Sequence, residues 1–543
     1  MTTANNTSPE ASTEASPEAL TEALQETAER PQMKIGLALL LTLLSVALLL
    51  MAIPPWRISC LAWVALVPFL LAVRTQGAKR GACLGLILGW LYLSLAMYWL
   101  IRFGLIAPVT AGLIKSFWIV LLGWLFGVMR PRNSAVYALT VACAWSAQEF
   151  IQASGSVGFT LGMLANTQAR HPWLLQINSL FGPWTLSFVI AFVNASLADW
   201  CWHTLQRRRS ASREGLTWQF WRSSHPSHIP LGISVVLLCL TLVFGIVRWK
   251  TYQEENSSPI VVGLVQPSAP QNEKFDPDKA PLFLNQLFEL SQTAVSSGSQ
   301  VVIWPETSVP YSNFTKKRSI KNRIRRRISK LGVWCFIGAV ARDKENRKLN
   351  RMYAFNPHGH LQDTYDKHHL VPFGEFLPLE KYWPDWRILD QIMRFAEGKG
   401  NNTIQTDYGK FGVLICFESM TATLPRAQVR NGAEVLVIPT NDGWFGHSAE
   451  LAAHFDMAIL RAVETGRYTM QIGNTGISGF ITPLGQVLQE SKIEECTALT
   501  DTVYAHQDMT LYMRIGDLLP CLMLLWTVLF IFDKHRKPSL FWE

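Results

Sequence analysis

Charge is what much of this sequence lacks. Asp, Glu, Lys and Arg make up 16% of its 543 residues, against 49% hydrophobic, where soluble domains carry about 25% charged residues. With a mean hydropathy of +0.15, the chain is too apolar for an ordinary soluble protein, and a bilayer must be considered. Paired cysteines are missing as well. Most of the nine cysteines fall inside apolar runs; Cys335, Cys416 and Cys496 lie in a long polar region and form neither a CxxC pair nor a metal-ligand spacing. Neither a metal nor a cofactor is therefore expected, and an unpaired thiol in that region demands a reason. The net charge of +9 is accompanied by no zinc-finger spacing and no RNA-recognition motif, so nucleic acid is not an expected partner. No internal repeat is evident. The first 33 residues lack a basic n-region and an A-x-A cleavage site, so the first apolar segment is expected to be retained as a span.

What is present is a series of apolar segments of spanning length, which is ~20 residues. They lie near 35–54, 58–73, 81–101, 105–129, 134–152, 175–200, 229–248 and 511–532. Their crowding and poverty in charge argue against buried helices of a soluble protein. Basic residues orient them. Arg30 and Lys34, Arg74, Lys79 and Arg80, Arg130 and Arg132, Arg207, Arg208, Arg209, Arg213 and Arg222, and Lys534, Arg536 and Lys537 all fall on one side if the N-terminus is cytoplasmic and eight spans exist. The expected organisation is a disordered tail over 1–33, a helical membrane bundle of about seven spans over 34–250, a polar extracytoplasmic domain over 251–505, and a last span with a cytoplasmic tail over 506–543.

The polar region alternates strand-like pieces, "PIVVGLVQP", "VVIWPE", "VWCFIGAVAR", "RMYAFNP", "KFGVLICFES", "AEVLVIPTN" and "YTMQIGNTGISGFITP", with helix-like pieces near 280–297, 315–331 and 449–466. That succession predicts an α/β domain with packed sheets. Three reactive groups sit at element edges: Glu306 ends "VVIWPE", Lys367 lies in "YDKHHLVPFGEFLPLE", and Cys416 is expected to end the strand "VLIC". A thiol needs a base and a nearby cation to react as thiolate; a carboxylate can take the proton and a lysine can hold a developing oxyanion. Spacing alone does not bring them together. Cys416 reads equally well as a core cysteine, and Glu306 and Lys367 as surface charges.

These three stretches resemble the Glu-Lys-Cys signature of the nitrilase superfamily. With spans before and after, the stretch from about 34 to 537 resembles the apolipoprotein N-acyltransferase family through "WPET" (304–307), "KHHLVPFGEFLPLE" (367–380), "CFES" (416–419) and "NDGWFG" (441–446). The resemblance implies an αββα sandwich on a membrane bundle of about eight spans, placed on the periplasmic side of a bacterial inner membrane. It implies a two-step acyl transfer from a phospholipid donor, through a Cys416 thioester, to the diacylglyceryl-modified N-terminal cysteine of an apolipoprotein acceptor. Glu306 would be the general base, Lys367 the oxyanion stabiliser, and Glu375 and Glu418 supporting acids; a monomer is expected. Phe275 stands where the family has a tryptophan, and Phe417 where it has a tyrosine.

An enzyme of this kind must keep its thioester from water. The aromatic-rich segment 373–398, including Trp383 and Trp386, is the candidate lid, with Trp444 and Phe445 a second arm; a satellite core under a long loop is an equal reading. The basic piece "KKRSIKNRIRRRISK" (316–330) reads as a lipid-headgroup contact or as a solvated helix face with Ile320, Ile324 and Ile328 on its apolar side. His171 and Arg170 could meet a phosphate or only mark the interface. Two rival functions are a membrane-tethered amidase hydrolysing a C–N bond and a scaffold for a lipid-linked glycosyl synthase. The spans and apolar lid argue against the first, and the joint presence of Glu306, Lys367 and Cys416 against the second.

Overall fold

The computed structural model describes residues 33–129, 133–211, 228–254, 258–382, 392–400 and 402–533. Among the described residues seven helices of eight or more residues come first: α1 (Ile35–Ala52), α2 (Val67–Arg74), α3 (Gly77–Ala96), α4 (Ile106–Val128), α5 (Ser134–Gln152), α6 (Pro183–Ala211) and α7 (Ile229–Thr251). Among the described residues α1, α4, α6 and α7 are long and apolar enough to cross a membrane by length and composition; Ser59–Arg74 and Leu518–Asp533 are shorter apolar stretches. Their outward faces are apolar: Leu40, Ile114, Val235 and Leu240 are each at least 60% exposed, a surface that water does not tolerate over such an area. Local chemistry sets the ends. Asn133 caps α5, its Oδ1 accepting from Val136 N at 2.8 Å, and α6 starts at 183 rather than the expected 175 because Gly182 turns the chain at φ 82° ahead of Pro183. The last apolar segment is likewise broken at Gly516. Helices α3 and α4 touch backbone to backbone through Gly81, Gly85 and Gly123; a Cβ at Gly85 would lie 3.1 Å from Gly123 Cα, the close approach that small residues permit.

Two six-stranded sheets follow. Strands are β1 (Pro259–Gln266), β2 (Val301–Ile303), β3 (Trp334–Arg342), β4 (Lys348–Phe355), β5 (Leu361–Asp366), β6 (Ile404–Thr406), β7 (Gly409–Val413), β8 (Val435–Thr440), β9 (Thr469–Gly473), β10 (Gly479–Ile481), β11 (Val487–Glu490) and β12 (Thr497–Tyr504). The orders are β12-β1-β2-β3-β4-β5 and β11-β10-β9-β8-β7-β6, with parallel centres (β1-β2-β3 and β7-β8-β9) and antiparallel edges. Period-two alternation sends Ile260, Val262 and Leu264 of β1 into one buried layer with Phe411, Val413, Met470 and Ile472 of the other sheet. Val265, Val302 and Cys335 face the opposite way, under α8 (Ala280–Ser296) and α9 (Arg318–Leu331). On the far face of the second sheet, Leu436 and Ile438 pack with α11 (Glu450–Thr465); α10 (Thr423–Arg430) precedes it and α12 (Leu518–Asp533) closes the chain.

That second face sits on the bundle. One continuous apolar cluster runs from Ala38 and Leu49 through Leu164 to Phe455 and Leu436. Charged pairs join the same halves: Asp456 of α11 binds Arg57 and Arg170, each at 2.9 Å, and Arg170 also reaches Glu490 at 2.9 Å. Arg170 is thus committed to carboxylates rather than held free for a phosphate. The layer order also corrects the headgroup reading of the basic piece. Helix α9 buries Ile324 and Ile328 on the sheet remote from the bundle, so its basic face points away from the membrane helices.

Candidate active site

Three loops leave the same end of the sandwich. Glu306 lies just past β2, Lys367 directly follows β5, and Cys416 opens a 3₁₀ turn, Cys416–Met420, shortly after β7. The expected strand "VLIC" therefore stops short of the thiol. The ladder ends at Val413, because Cys416 takes φ 55°, a left-handed conformation that no strand tolerates. Such backbone strain costs ~1–3 kcal/mol and persists only where the surroundings over-determine it. Here they do. The Glu418 carboxylate accepts from Ile415 N at 2.6 Å, His368 N at 2.7 Å, His369 N at 3.0 Å and Tyr365 Oη at 3.0 Å, so one side chain pins the Cys416 turn to the segment that carries Lys367.

Lys367 is 1% exposed. Its Nζ is 2.9 Å from Glu375 Oε2 and 3.4 Å from Glu306 Oε1. Asn350 of β4 bridges the two acids, donating to Glu306 Oε1 at 2.5 Å and to Glu375 Oε1 at 3.2 Å. Asn441 N fixes the other Glu306 oxygen at 2.8 Å, and Val371 N the other Glu375 oxygen at 2.9 Å. Burial opposes the Lys367 charge, but Glu375, Glu306 and Cys416 outweigh it and hold the ammonium well above the usual lysine range. Burial, and then Glu306, push the Cys416 thiol well above its ordinary range while Lys367 pulls it back. Burial raises Glu418 to about 7 against the pull of its backbone donors. The resting thiol is therefore neutral, with a carboxylate and an ammonium beside it: the parts for proton removal and oxyanion stabilisation.

The site borders the membrane half. Thr160 N donates to Met420 O at 2.9 Å, at the end of the Cys416 turn. His369 Nε2 is 3.2 Å from Gly158 O. Phe417 lies between His369, stacked at 5.6 Å, and Phe159 at 5.5 Å. Phe445 is 9% exposed and packs edge-on against Trp99 at 4.6 Å; Trp444, half-exposed, lies 6.4 Å from Phe103. This arm is docked on the bundle. Phe275 is exposed beside Lys274, and Trp383 and Trp386 lie outside the described residues.

Sequence reasoning missed four contributors. Asn350 sits mid-strand with no local signal. Lys274, 2% exposed, donates to Glu306 O and Thr307 Oγ1, both at 3.1 Å. His454 and Asp442 form a buried pair at 2.9 Å behind the Cys416 turn; Asp442 was visible inside "NDGWFG", while His454 hides in an amphipathic helix.

Comparison with known proteins fits this geometry. The carbon-nitrogen hydrolase family model matches residues 262–510, and the apolipoprotein N-acyltransferase N-terminal domain model matches 45–196. A Geobacter metallireducens apolipoprotein N-acyltransferase is 30% identical over 504 residues, covering 88% of this chain and 91% of the relative. The chain belongs to the apolipoprotein N-acyltransferase family. Other members are 28% identical in Gloeobacter violaceus, over 86% of this chain and 88% of the relative, and 26% identical in Thermotoga maritima, over 92% and 94%. Among solved structures, an amidase from Nesterenkonia sp. superposes with a TM-score of 0.37 at 18% identity, over 47% of this chain and 92% of that one. In this family member, then, the hydrolase-type sandwich and the membrane bundle are one packed unit, and the Cys416 turn is at their junction.

Proposed function

We propose that the protein N-acylates lipoproteins, moving an acyl chain from a phospholipid to the α-amino group of a diacylglyceryl-modified N-terminal cysteine. The observation that carries this reading is the convergence of Glu306, Lys367 and Cys416 where the sandwich meets the bundle. Both substrates are anchored in lipid, and drawing an acyl chain into water would cost ~0.8 kcal/mol per CH₂. A site seated on membrane helices avoids that cost.

In the first step the Cys416 sulfur attacks the ester carbonyl carbon and its proton passes to Glu306. The oxyanion takes a hydrogen bond from Lys367 Nζ, and collapse breaks the C–O bond; the leaving lysophospholipid oxygen recovers the proton from Glu306. In the second step the acceptor amine attacks the thioester carbon, Glu306 takes the amine proton, and the C–S bond breaks to return it to Cys416. Glu375 holds Lys367 in place, and Glu418 holds the nucleophile turn. Phe275, Phe417, Trp383, Trp386, Trp444 and Phe445 are the proposed acyl-chain and lid contacts. The reading further has eight spans, the N-terminus in the cytoplasm, a catalytic domain over 251–505 on the periplasmic side of the inner membrane, and a monomer that needs no cofactor.

Intact-mass measurement of the purified protein after incubation with phospholipid tests the chemistry. An acyl adduct in the parent, missing in Cys416→Ala and discharged by a diacylglyceryl-cysteine peptide, is the expected result. Release of free fatty acid with no acylated peptide would move the case to a hydrolase.

A further inference from the structure

Behind the nucleophile turn lies a buried histidine that the two-step scheme does not use. His454, on α11, is fully buried. Its Nδ1 is 2.9 Å from Asp442 Oδ1, and its Nε2 is 2.9 Å from Ser419 Oγ and 3.2 Å from the carbonyl oxygen of Cys416. Ser419 Oγ donates to that same carbonyl at 2.9 Å. Thr440 Oγ1 spends its proton on Asp442 Oδ1.

Counting protons in this network leaves little choice. A carbonyl only accepts; with the Ser419 proton given to it, both neighbours of Nε2 present lone pairs and Nε2 donates, whereas a Ser419 hydroxyl turned to a neutral Nε2 would leave the Cys416 carbonyl without either donor. The partner of Nδ1 is a carboxylate, so Nδ1 donates too. A neutral ring would aim a lone pair at the Cys416 carbonyl and strip it of a donor. The surrounding charges agree: Asp442 lies on the turn after β8, Glu450 one turn back on α11, and Cys416 opposite, with the Phe445 ring edge-on at 6.1 Å. Burial opposes a charge on His454, but Asp442, by its charge and then by its hydrogen bond, outweighs it and raises the pKa above the ordinary value; Glu450, itself pushed up to about 8 by burial, adds little near neutral pH. The thiol is close enough to feel this charge. Cys416 Sγ, an Asp442 carboxylate oxygen and a His454 ring nitrogen all lie within 4.8 Å of one another, and Asp442 by itself opposes the thiolate.

We propose that His454 is a positioning residue held as an imidazolium, which donates to the Cys416 carbonyl to lock its left-handed backbone and cancels the Asp442 charge that would otherwise disfavour the thiolate. The proposal rests on the reading of Cys416 as nucleophile. Its test uses alkylation rather than acyl transfer, so that failure of either can be told apart.

In full-length protein held in lipid nanodiscs, the rate of iodoacetamide modification of Cys416 is followed by peptide mass spectrometry as a function of pH. His454→Gln keeps an N–H donor and removes the charge. The expected result is a roughly tenfold slower rate at pH 7, where the parent's ring carries its charge, equivalent to about one pH unit in the thiol. Adding Asp442→Asn to that variant should restore most of the rate, an effect that a merely structural role would not produce. An unchanged pH 7 rate in His454→Gln, or a slow rate that Asp442→Asn does not recover, overturns the charge role. Nitrogen-15 spectra of the histidine-labelled parent give a second readout independent of any variant: two protonated ring nitrogens on His454 at pH 7 support the proposal, and one overturns it.

Discussion

Two buried lysines flank the same glutamate and behave oppositely. Lys274, from the loop after β1, is 2% exposed, and Lys367, from the loop after β5, is 1% exposed. Lys367 touches carboxylates and is held above the usual lysine range. Among the described residues Lys274 donates to the Glu306 carbonyl and the Thr307 hydroxyl, with the Phe275 ring beside it; burial pulls it down to about 7, with Glu306 opposing. Residue type and depth are matched, so the difference lies in the partner. A carboxylate at 2.9 Å offsets the desolvation of an ammonium, whereas neutral oxygens do not. One lysine is thereby a fixed cation and the other titrates near neutrality.

The strongest way to break this comparison is to remove the fixed cation. Lys367→Met takes away the proposed oxyanion donor and leaves Glu306 and Glu375 buried without a countercharge. Acyl-enzyme formation should fall by about 10²–10³-fold or more, read as the rate of thioester appearance by intact mass. Glu375→Gln comes next. It deletes the nearer partner of Lys367 and should make that lysine resemble Lys274, at a stability cost of about 3–5 kcal/mol, the cost typical of breaking a buried pair, read by thermal unfolding. A melting temperature equal to the parent's would show that Glu306 alone suffices to hold the charge.

How much of this could be read from the residues depends on whether each signal was local. The strands before Glu306 and Cys416 announced themselves by apolar runs broken at polar residues, and α8, α9 and α11 by helical periodicity; β5, which delivers Lys367, is a polar run that was not expected as a strand. Three things were not local. The strand before Cys416 ended early because a carboxylate two residues beyond the thiol captures Ile415 N and forces a left-handed turn, a geometry that apolar patterning does not encode. Asn350 and His454 sit on interior faces of regular elements, where their types read as ordinary packing positions, and only tertiary proximity gives them Glu306 and Asp442 as partners. The direction of α9 was set by which sheet its isoleucines cover, and its basic sequence alone was compatible with either side.

Lys274→Met sharpens the comparison through pH. A lysine whose folded pKa is lowered is charged at full penalty below about 7, and that penalty is relieved as pH rises from about 7 toward its unfolded value of 10.5. The parent should therefore gain a contribution to its melting temperature across that window which Lys274→Met lacks. Lys367, raised, behaves in the reverse sense: its contribution is complete below its unfolded value of 10.5 and is lost only above that. If the two melting curves run parallel from pH 7 to 10, Lys274 is charged throughout and the comparison fails.

The smallest effect belongs to cations that make no ion pair among the described residues. Half-buried Lys321 and exposed Arg326, whose Nε donates to Asn322 O at 3.3 Å, lie on α9, over the sheet remote from the bundle, where water screens them and exposed pairs are worth about 0–1 kcal/mol. Charge reversal at both, Lys321→Glu with Arg326→Glu, should change transfer in anionic-lipid vesicles by less than about twofold, in keeping with that energy. A tenfold loss that grows with the anionic lipid fraction would mean that α9 meets a membrane surface after all, and would require a second bilayer on the side of the sandwich away from the bundle.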